Sequence, residues 1–487
     1  MNSEVALLDI LKVSPMIVLF LVSLIPITVK VLRGNVEQAP MATLIQGLGG
    51  IIAAIVLMFF VHEVFMGLPA FSNALVFDGV TKWMGLIALF AAGGSLLLMY
   101  DNAATNGSQF SELMFLTLNC VVGMLILASA VDLLMVFIGL EIMSLSLYLM
   151  IGMSHEQKLS KEAAIKYFIL GSFASAIFLY GVALLFGTVG STYIPDVVAK
   201  TGDLIDTSRV FVFGISMVIL GFCFKVSIVP FHMWTPDVYQ GSPTPHTAFM
   251  ATAVKAVSFA AFLRIMETKI LIGSENLLDF LQWLAVITMI VGNVAAIMQN
   301  NFKRMLAYSS VAHSGYILVG VITTGVSDDV NFGAASVVFY LVAYALMTLG
   351  AFAVVALMER TEGTIVNIDD LAGYAKKRPG MALCLTMFML SLAGIPPMVG
   401  FFGKFYIFTG AIGQGLIWLA VWGVLNSVIS VYYYLRPIVV MYMKEGDPIE
   451  ASTPMNATRV AIIVSAVMVV FLGLVSGPIF EIFEKAL

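Results

Sequence analysis

Four ionisable residues stand inside long apolar runs of this chain: Glu141, Lys225, Lys255 and Lys404. Glu141 lies in Phe-Ile-Gly-Leu-Glu141-Ile-Met-Ser-Leu, nine residues past Asp132. On a helix that is about 13 Å, close to the middle of a bilayer. A charge at that depth costs roughly 2.5–3.5 kcal/mol or more, so four of them cost on the order of 10 kcal/mol. Such a cost calls for pairing, hydration or function. One reading is a set of buried ion pairs that fixes helix order. The other is a proton relay. Burial favours the neutral form of an amine and a nearby carboxylate favours the charged form. If Glu141 moved towards or away from Lys225, the lysine would alternately take up and release a proton. Lys225 would then pass it through water to Lys255 and on to Lys404.

Two further residues are candidates for the same path. Lys166 stands four residues after Glu162, near the start of its run. That spacing equally describes a surface helix pair. His313 lies among Ser309, Ser310 and Ser314, opening its run. It reads either as a satisfied structural group or as part of a hydrated path. His62 and His155 read as loop residues, and His232 and His246 flank a break described below.

Other chemistries lack their residues. Cys120, Cys223 and Cys384 fall in separate apolar runs with no CxxC or Cys/His spacing. They read as small buried hydrophobes, with no disulfide framework, zinc site or iron–sulfur cluster. No GxGxxG, P-loop or haem-attachment motif occurs, so the chain itself is expected to perform no redox chemistry. The 30 methionines and 35 phenylalanines read as packing and lipid-facing residues. A net charge of -5, without a basic tail, gives nucleic acid nothing to bind.

The elements that must hold these charges are membrane helices. Of 487 residues, 60% are apolar and 11% charged, and a soluble domain carries about 25% charged residues. Apolar runs fall at about 13–32, 42–66, 80–100, 111–130, 132–153, 163–189, 208–229, 246–266, 278–300, 305–325, 333–358, 381–402, 405–436 and 458–480. The class is therefore all-α and polytopic, with about fourteen spans, because open strands cannot cross lipid. The first run, preceded by Glu4 and Asp9, reads as a retained span and not a signal peptide. Thirteen of the 24 Lys and Arg follow odd-numbered spans. The positive-inside rule then puts those loops in the cytoplasm and both termini outside.

Two spans look broken. Span seven runs into Lys225-Val-Ser-Ile-Val-Pro230-Phe-His232-Met-Trp234-Thr-Pro236-Asp237. Span twelve contains Gly394-Ile-Pro396-Pro397-Met-Val-Gly400-Phe-Phe-Gly403-Lys404. Proline removes a backbone donor and glycine weakens a helix. The two sites are five spans apart, and a five-helix repeat inserts its second copy upside down. Interrupted helices at matching positions mark inverted-repeat transport machinery.

These stretches, with Leu-Glu141-Ile-Met-Ser, Lys161-Glu162-Ala-Ala-Ile-Lys166-Tyr, Lys303-Arg304-Met-Leu-Ala-Tyr-Ser-Ser and Trp234-Thr-Pro-Asp-Val-Tyr-Gln-Gly241, carry a resemblance. The chain resembles the N-type antiporter-like membrane subunits of bacterial proton-pumping NADH:quinone oxidoreductase, respiratory complex I. The segment from Trp234 to Gly241 distinguishes this type from related M- and L-type and stand-alone antiporter subunits. The matching motifs run from Glu141 to Lys404, and spans one to three and fourteen match in hydropathy only. The resemblance implies fourteen helices in a single membrane domain. Helices 1–3 would lie in 1–105, inverted five-helix repeats (spans 4–8 and 9–13) in 106–270 and 271–445, and a last helix in 446–487. It carries Glu141, Lys225, Lys255 and Lys404 over as the relay. It places NADH, FMN, iron–sulfur clusters and quinone in partner subunits, and expects neighbouring antiporter-like and small membrane subunits as partners in the bacterial inner membrane. The alternative is a subunit of a stand-alone cation/proton antiporter.

Overall fold

The computed structural model of the chain describes residues 3–102, 109–153, 158–266, 271, 274–327, 329–359, 366–447 and 456–487. His155, read above as a loop residue, lies outside these ranges.

Twelve helices are long and apolar enough to cross a bilayer. Spans one to six are Ser14–Leu32, Pro40–Phe65, Gly79–Asp101, Phe110–Ser129, Leu133–Gly152 and Lys158–Val189. Spans eight to eleven are Thr244–Met266, Glu275–Ile297, Phe302–Val326 and Val330–Met358, and spans thirteen and fourteen are Ile417–Met443 and Asn456–Leu474. The remaining two are divided. Span seven is Arg209–Lys225 followed by Trp234–Gly241, and span twelve is Pro379–Ala393 followed by Val399–Gly413. The chain is thus a polytopic all-α membrane protein of fourteen spans among the described residues, broken at the two spans that the prolines mark. A two-stranded hairpin, Pro69–Ala70 with Leu75–Val76, lies outside the bundle's helices.

Helix starts follow side-chain caps. Asp132 accepts from the Leu134 and Met135 amides at 2.8 and 3.3 Å, and Asn301 accepts from Arg304 N at 2.8 Å. Each satisfies amides that have no partner in the first turn, which lipid cannot supply. Asp78 caps span three through Thr81 N at 2.9 Å and also receives two 2.7 Å bonds from Arg264 at the end of span eight. Burial pushes the Asp78 carboxyl up, but the Arg264 charge and hydrogen bonds outweigh it and hold the group below its usual value. Spans four and five meet closely because Gly139 lacks a side chain; a Cβ there would lie 2.7 Å from Leu127 N.

Two backbone bridges expose the repeat. Leu133 N donates to Thr192 O and Ile194 N to Val131 O, both at 2.9 Å, tying the start of span five to the loop after span six. Phe302 N donates to Val366 O and Ile368 N to Asn300 O, both at 2.9 Å, tying the start of span ten to the loop after span eleven. The same pairing recurs five spans later. Five crossings put the second bridge on the opposite side of the bundle, as an inverted repeat requires.

Two sequence boundaries and one residue assignment move. Residues 405–413 belong to span twelve, not thirteen, because the chain turns at Gln414–Leu416 with Gly415 at φ +75°. The last apolar run divides at Val475 into span fourteen and an amphipathic C-terminal helix, Ser476–Ala486. His62 is buried within span two and is not a loop residue.

Candidate functional site

Three lysines lie at the heart of the bundle. Lys225, Lys255 and Lys404 are 3%, 2% and 5% exposed. Lys225 is the last residue of the first half of span seven. Beyond it the chain opens, with Ser227 at φ +61° and a cis Val229–Pro230 bond. The freed end of the half-helix finds neutral donors. The Trp234 indole donates to Phe224 O at 3.0 Å and the Ser314 hydroxyl to Val226 O at 2.5 Å.

Lys225 and Glu141 do not form an ion pair; a serine stands beside each. Lys225 Nζ donates to Ser144 Oγ at 2.7 Å, and Ser144 in turn donates to the Leu140 carbonyl. Ser144 is one turn from Glu141, on the same face of span five. The Glu141 carboxylate accepts from Ser175 Oγ of span six at 2.5 Å. The direct pairing expected from the sequence is therefore replaced by hydroxyl contacts on two neighbouring spans.

Lys255 follows a single π turn, Met250–Val254, in the middle of span eight. Such turns widen a helix and recur at functional sites. Its ammonium donates to Ser310 O and Oγ, both at 2.5 Å, and to Ser314 Oγ at 2.8 Å. Ser314 thus touches both Lys255 and the carbonyl next to Lys225. Tyr344 of span eleven donates to Ser310 Oγ at 2.8 Å.

His313 lies mid-way along span ten, between Phe302 and Val326, and does not open it. It is 1% exposed. Its ring nitrogens meet Tyr340 Oη at 2.6 Å and Tyr434 Oη at 2.9 Å, and Tyr434 also bonds to Ser309. Its ring packs edge-on against Tyr316, whose ring lies 5.0 Å from the Lys404 ammonium. Lys404, in the second half of span twelve, donates to Leu392 O at 3.2 Å, Ala393 O at 3.0 Å and Ser427 Oγ at 2.8 Å. Gly394, at φ +87°, ends the first half there. A hydroxyl both donates and accepts. Lysine, serine, tyrosine and histidine groups therefore run through the core from span five to span thirteen.

Lys166 stands apart from this series. Its side chain is 41% exposed and pairs with Glu162 at 2.7 Å and Asp237 at 2.8 Å. Asp237 also pairs with Arg304 at 2.7 Å. The i,i+4 pair is the one the spacing announces. Asp237, 71 residues away, completes a network the sequence did not disclose. A second pair, Lys303 with Glu359 at 3.4 Å, joins spans ten and eleven. The hydroxyl partners Ser144, Ser175, Tyr340, Tyr344, Tyr434 and Ser427 were also missed. The signal available was three-residue spacing for Ser144 and none for the tyrosines.

Comparison with known proteins follows the same geometry. Residues 130–430 match the family described as NADH:quinone oxidoreductase/Mrp antiporter, TM. The NADH-quinone oxidoreductase subunit N of Bdellovibrio bacteriovorus is 68% identical over 489 residues, covering 100% of both chains. A chain of respiratory complex I from Thermus thermophilus superposes with a TM-score of 0.81 at 32% identity, covering 96% of this chain and 98% of that one. A chain of the Mrp complex from Dietzia sp. also reaches 0.81, covering 100% and 97%, but at 19% identity it shares the fold alone.

Proposed function

This chain belongs to the NADH:quinone oxidoreductase/Mrp antiporter family of membrane subunits, on its subunit N branch, and from that premise we propose that it carries protons through the membrane arm of a complex I by a Glu141–Lys225–Lys255–Lys404 relay. One observation carries the proposal. The three lysines are buried in separate spans and each ammonium meets a hydroxyl: Ser144 at Lys225, Ser314 between Lys255 and the carbonyl beside Lys225, and Ser427 at Lys404.

The chemistry runs in steps. Glu141 sets the charge of Lys225 through the field around Ser144. When that field weakens, Lys225 gives up its proton. Ser314, which bonds both Val226 O and Lys255, provides the adjoining hydroxyl. From Lys255 the path continues by Ser310 and Tyr344. His313, held between Tyr340 and Tyr434, hands the proton on by changing tautomer. Lys404 receives it near Ser427. Lys166 with Glu162, Asp237 and Arg304 forms a charged network at the other end of spans six and seven, and feeds or positions the path without belonging to it.

Electron transfer from NADH to quinone, with its FMN and iron–sulfur clusters, takes place in partner subunits and drives the charge rearrangement here. The chain sits in the bacterial inner membrane beside other antiporter-like and small subunits, with both termini outside. Residues 106–270 and 271–445 are its two inverted units. The stand-alone antiporter reading draws on the shared fold and on the family description, which names Mrp antiporters beside NADH:quinone oxidoreductase.

The test is Lys225→Ala in the assembled complex. Proton pumping per NADH oxidised, followed by a pH-sensitive dye in inverted membrane vesicles, falls to a small fraction while the complex still assembles. Unchanged pumping in a fully assembled mutant overturns the role of Lys225.

A further inference from the structure

Spans three, eleven and fourteen leave a gap that the C-terminal helix covers. The gap is a cavity of about 250 Å³. Every residue on its wall is apolar, among them Trp83, Phe90, Leu346, Leu472 and Phe483. Ile482, also on the wall, is 49% exposed, so the cavity opens outward. Its volume would hold about eight waters, but water needs two to four polar partners and the wall offers almost none. An empty cavity forfeits dispersion contacts all round. Something apolar fills it.

One polar group adjoins the cavity: Lys82, in the first turn of span three and next in sequence to the wall residue Trp83. Its ammonium lies 5.4 Å from the Trp83 ring and 4.9 Å from that of Phe59. No carboxylate among the described residues comes within ion-pair distance of it. Glu63, the acid that acts on it, is exposed, and Asp78 is engaged by Arg264. On the C-terminal helix, Lys485 and Glu481 pair with each other.

We propose that this cavity is a binding site for an anionic phospholipid, with one acyl chain inserted between spans three, eleven and fourteen and the phosphate held by Lys82. An acyl chain gains little by leaving other lipid tails for a wall of Leu, Ile and Phe, because both are equally apolar. The wall fixes shape and depth, and the charge fixes which lipid is kept. One cationic side chain at the membrane surface attracts anionic over zwitterionic lipid. The C-terminal helix covers the bound chain, and Phe483 packs edge-on against Trp83 at 4.6 Å. The site depends on the fold alone and not on the relay.

The experiment is native mass spectrometry of the purified full-length chain, offered phosphatidylglycerol and phosphatidylethanolamine of identical acyl composition. One phosphatidylglycerol is retained at raised collision energy, preferred about five-fold over phosphatidylethanolamine. Lys82→Gln removes the preference, and Ala345→Phe, which fills the cavity from span eleven, removes the retained lipid. Equal retention of the two lipids, or a preference that survives Lys82→Gln, overturns the proposal. Should Ala345→Phe fail to fold, Lys82→Gln, at a partly exposed position, still decides.

Discussion

The two broken spans put a lysine at the same electrostatic position by different routes. In span seven the lysine is the last residue of the first half-helix, and the carbonyls around it are taken by Trp234 and Ser314. Its one hydrogen bond among the described residues goes to Ser144. In span twelve the matching end is Ala393, and the lysine stands beyond the break. Lys404 reaches back to the Leu392 and Ala393 carbonyls and adds Ser427. Both ammonium groups thus sit at the C-terminal end of a half-helix, where the aligned peptide dipoles favour a cation. Their freedom differs. Lys404 is held by backbone that cannot move without unwinding its half-helix. Lys225 is held by a hydroxyl beside a carboxylate, and a rotamer change suffices to release it. In the relay proposed here, Lys225 is the group that switches and Lys404 a fixed station.

The sharpest separation is in stability. Lys404→Met leaves two buried carbonyls and a serine without their donor. At about 1–3 kcal/mol for each of the two unsatisfied carbonyls, the loss is roughly 2–6 kcal/mol, read as a lowered Tm of the purified chain. Lys225→Met leaves one hydroxyl that still donates to Leu140, so its cost is about 1 kcal/mol or less. Equal losses would break the comparison, because they would mean that both lysines serve the break in the same way.

Sequence made the charges and the breaks legible, but not this difference between them. Glu141, Lys225, Lys255 and Lys404 stand out because lipid makes charge rare, and Pro230 and Pro396-Pro397 mark the breaks because proline cannot continue a ladder. Lys225 precedes its prolines and Lys404 follows them, which is visible in the chain. Whether a lysine reaches back over a break depends on the angle between two half-helices, which no local pattern encodes. The hydroxyl partners were hidden for another reason. Serine and tyrosine are common among 487 residues, and those that matter come from spans five, six, ten, eleven and thirteen. The end of span twelve was misjudged because Gln414-Gly415-Leu416 is a turn of three residues with little polarity.

A smaller effect separates the serines. Ser144→Ala takes from Lys225 its one hydrogen bond. A bond to a charged group is worth about 1.5–3 kcal/mol, and part of it returns if the ammonium swings towards Glu141. The expected loss of stability is about 1 kcal/mol. Pumping slows more than stability suggests, because the lysine then pairs with the acid and holds its proton. Vesicle pumping and Tm measured on the same preparation show whether the two part company. If pumping stays at the wild-type rate, Ser144 does not govern Lys225.

Ser427→Ala is the matching change at the second break, and it should do least. Lys404 keeps the Leu392 and Ala393 carbonyls when the hydroxyl is gone. The serine also donates to Ala393 O, but at 3.5 Å that bond is at the limit of useful geometry. The expected cost is about 0.5 kcal/mol, a Tm change of a few degrees at most, with pumping close to wild type. Its value lies in being paired with Ser144→Ala. Two serines, each one bond from a buried lysine, differ only in what else the lysine holds. Should Ser427→Ala cost as much as Ser144→Ala in both assays, the backbone carbonyls would not be anchoring Lys404, and the fixed station would have to be treated as a second switch.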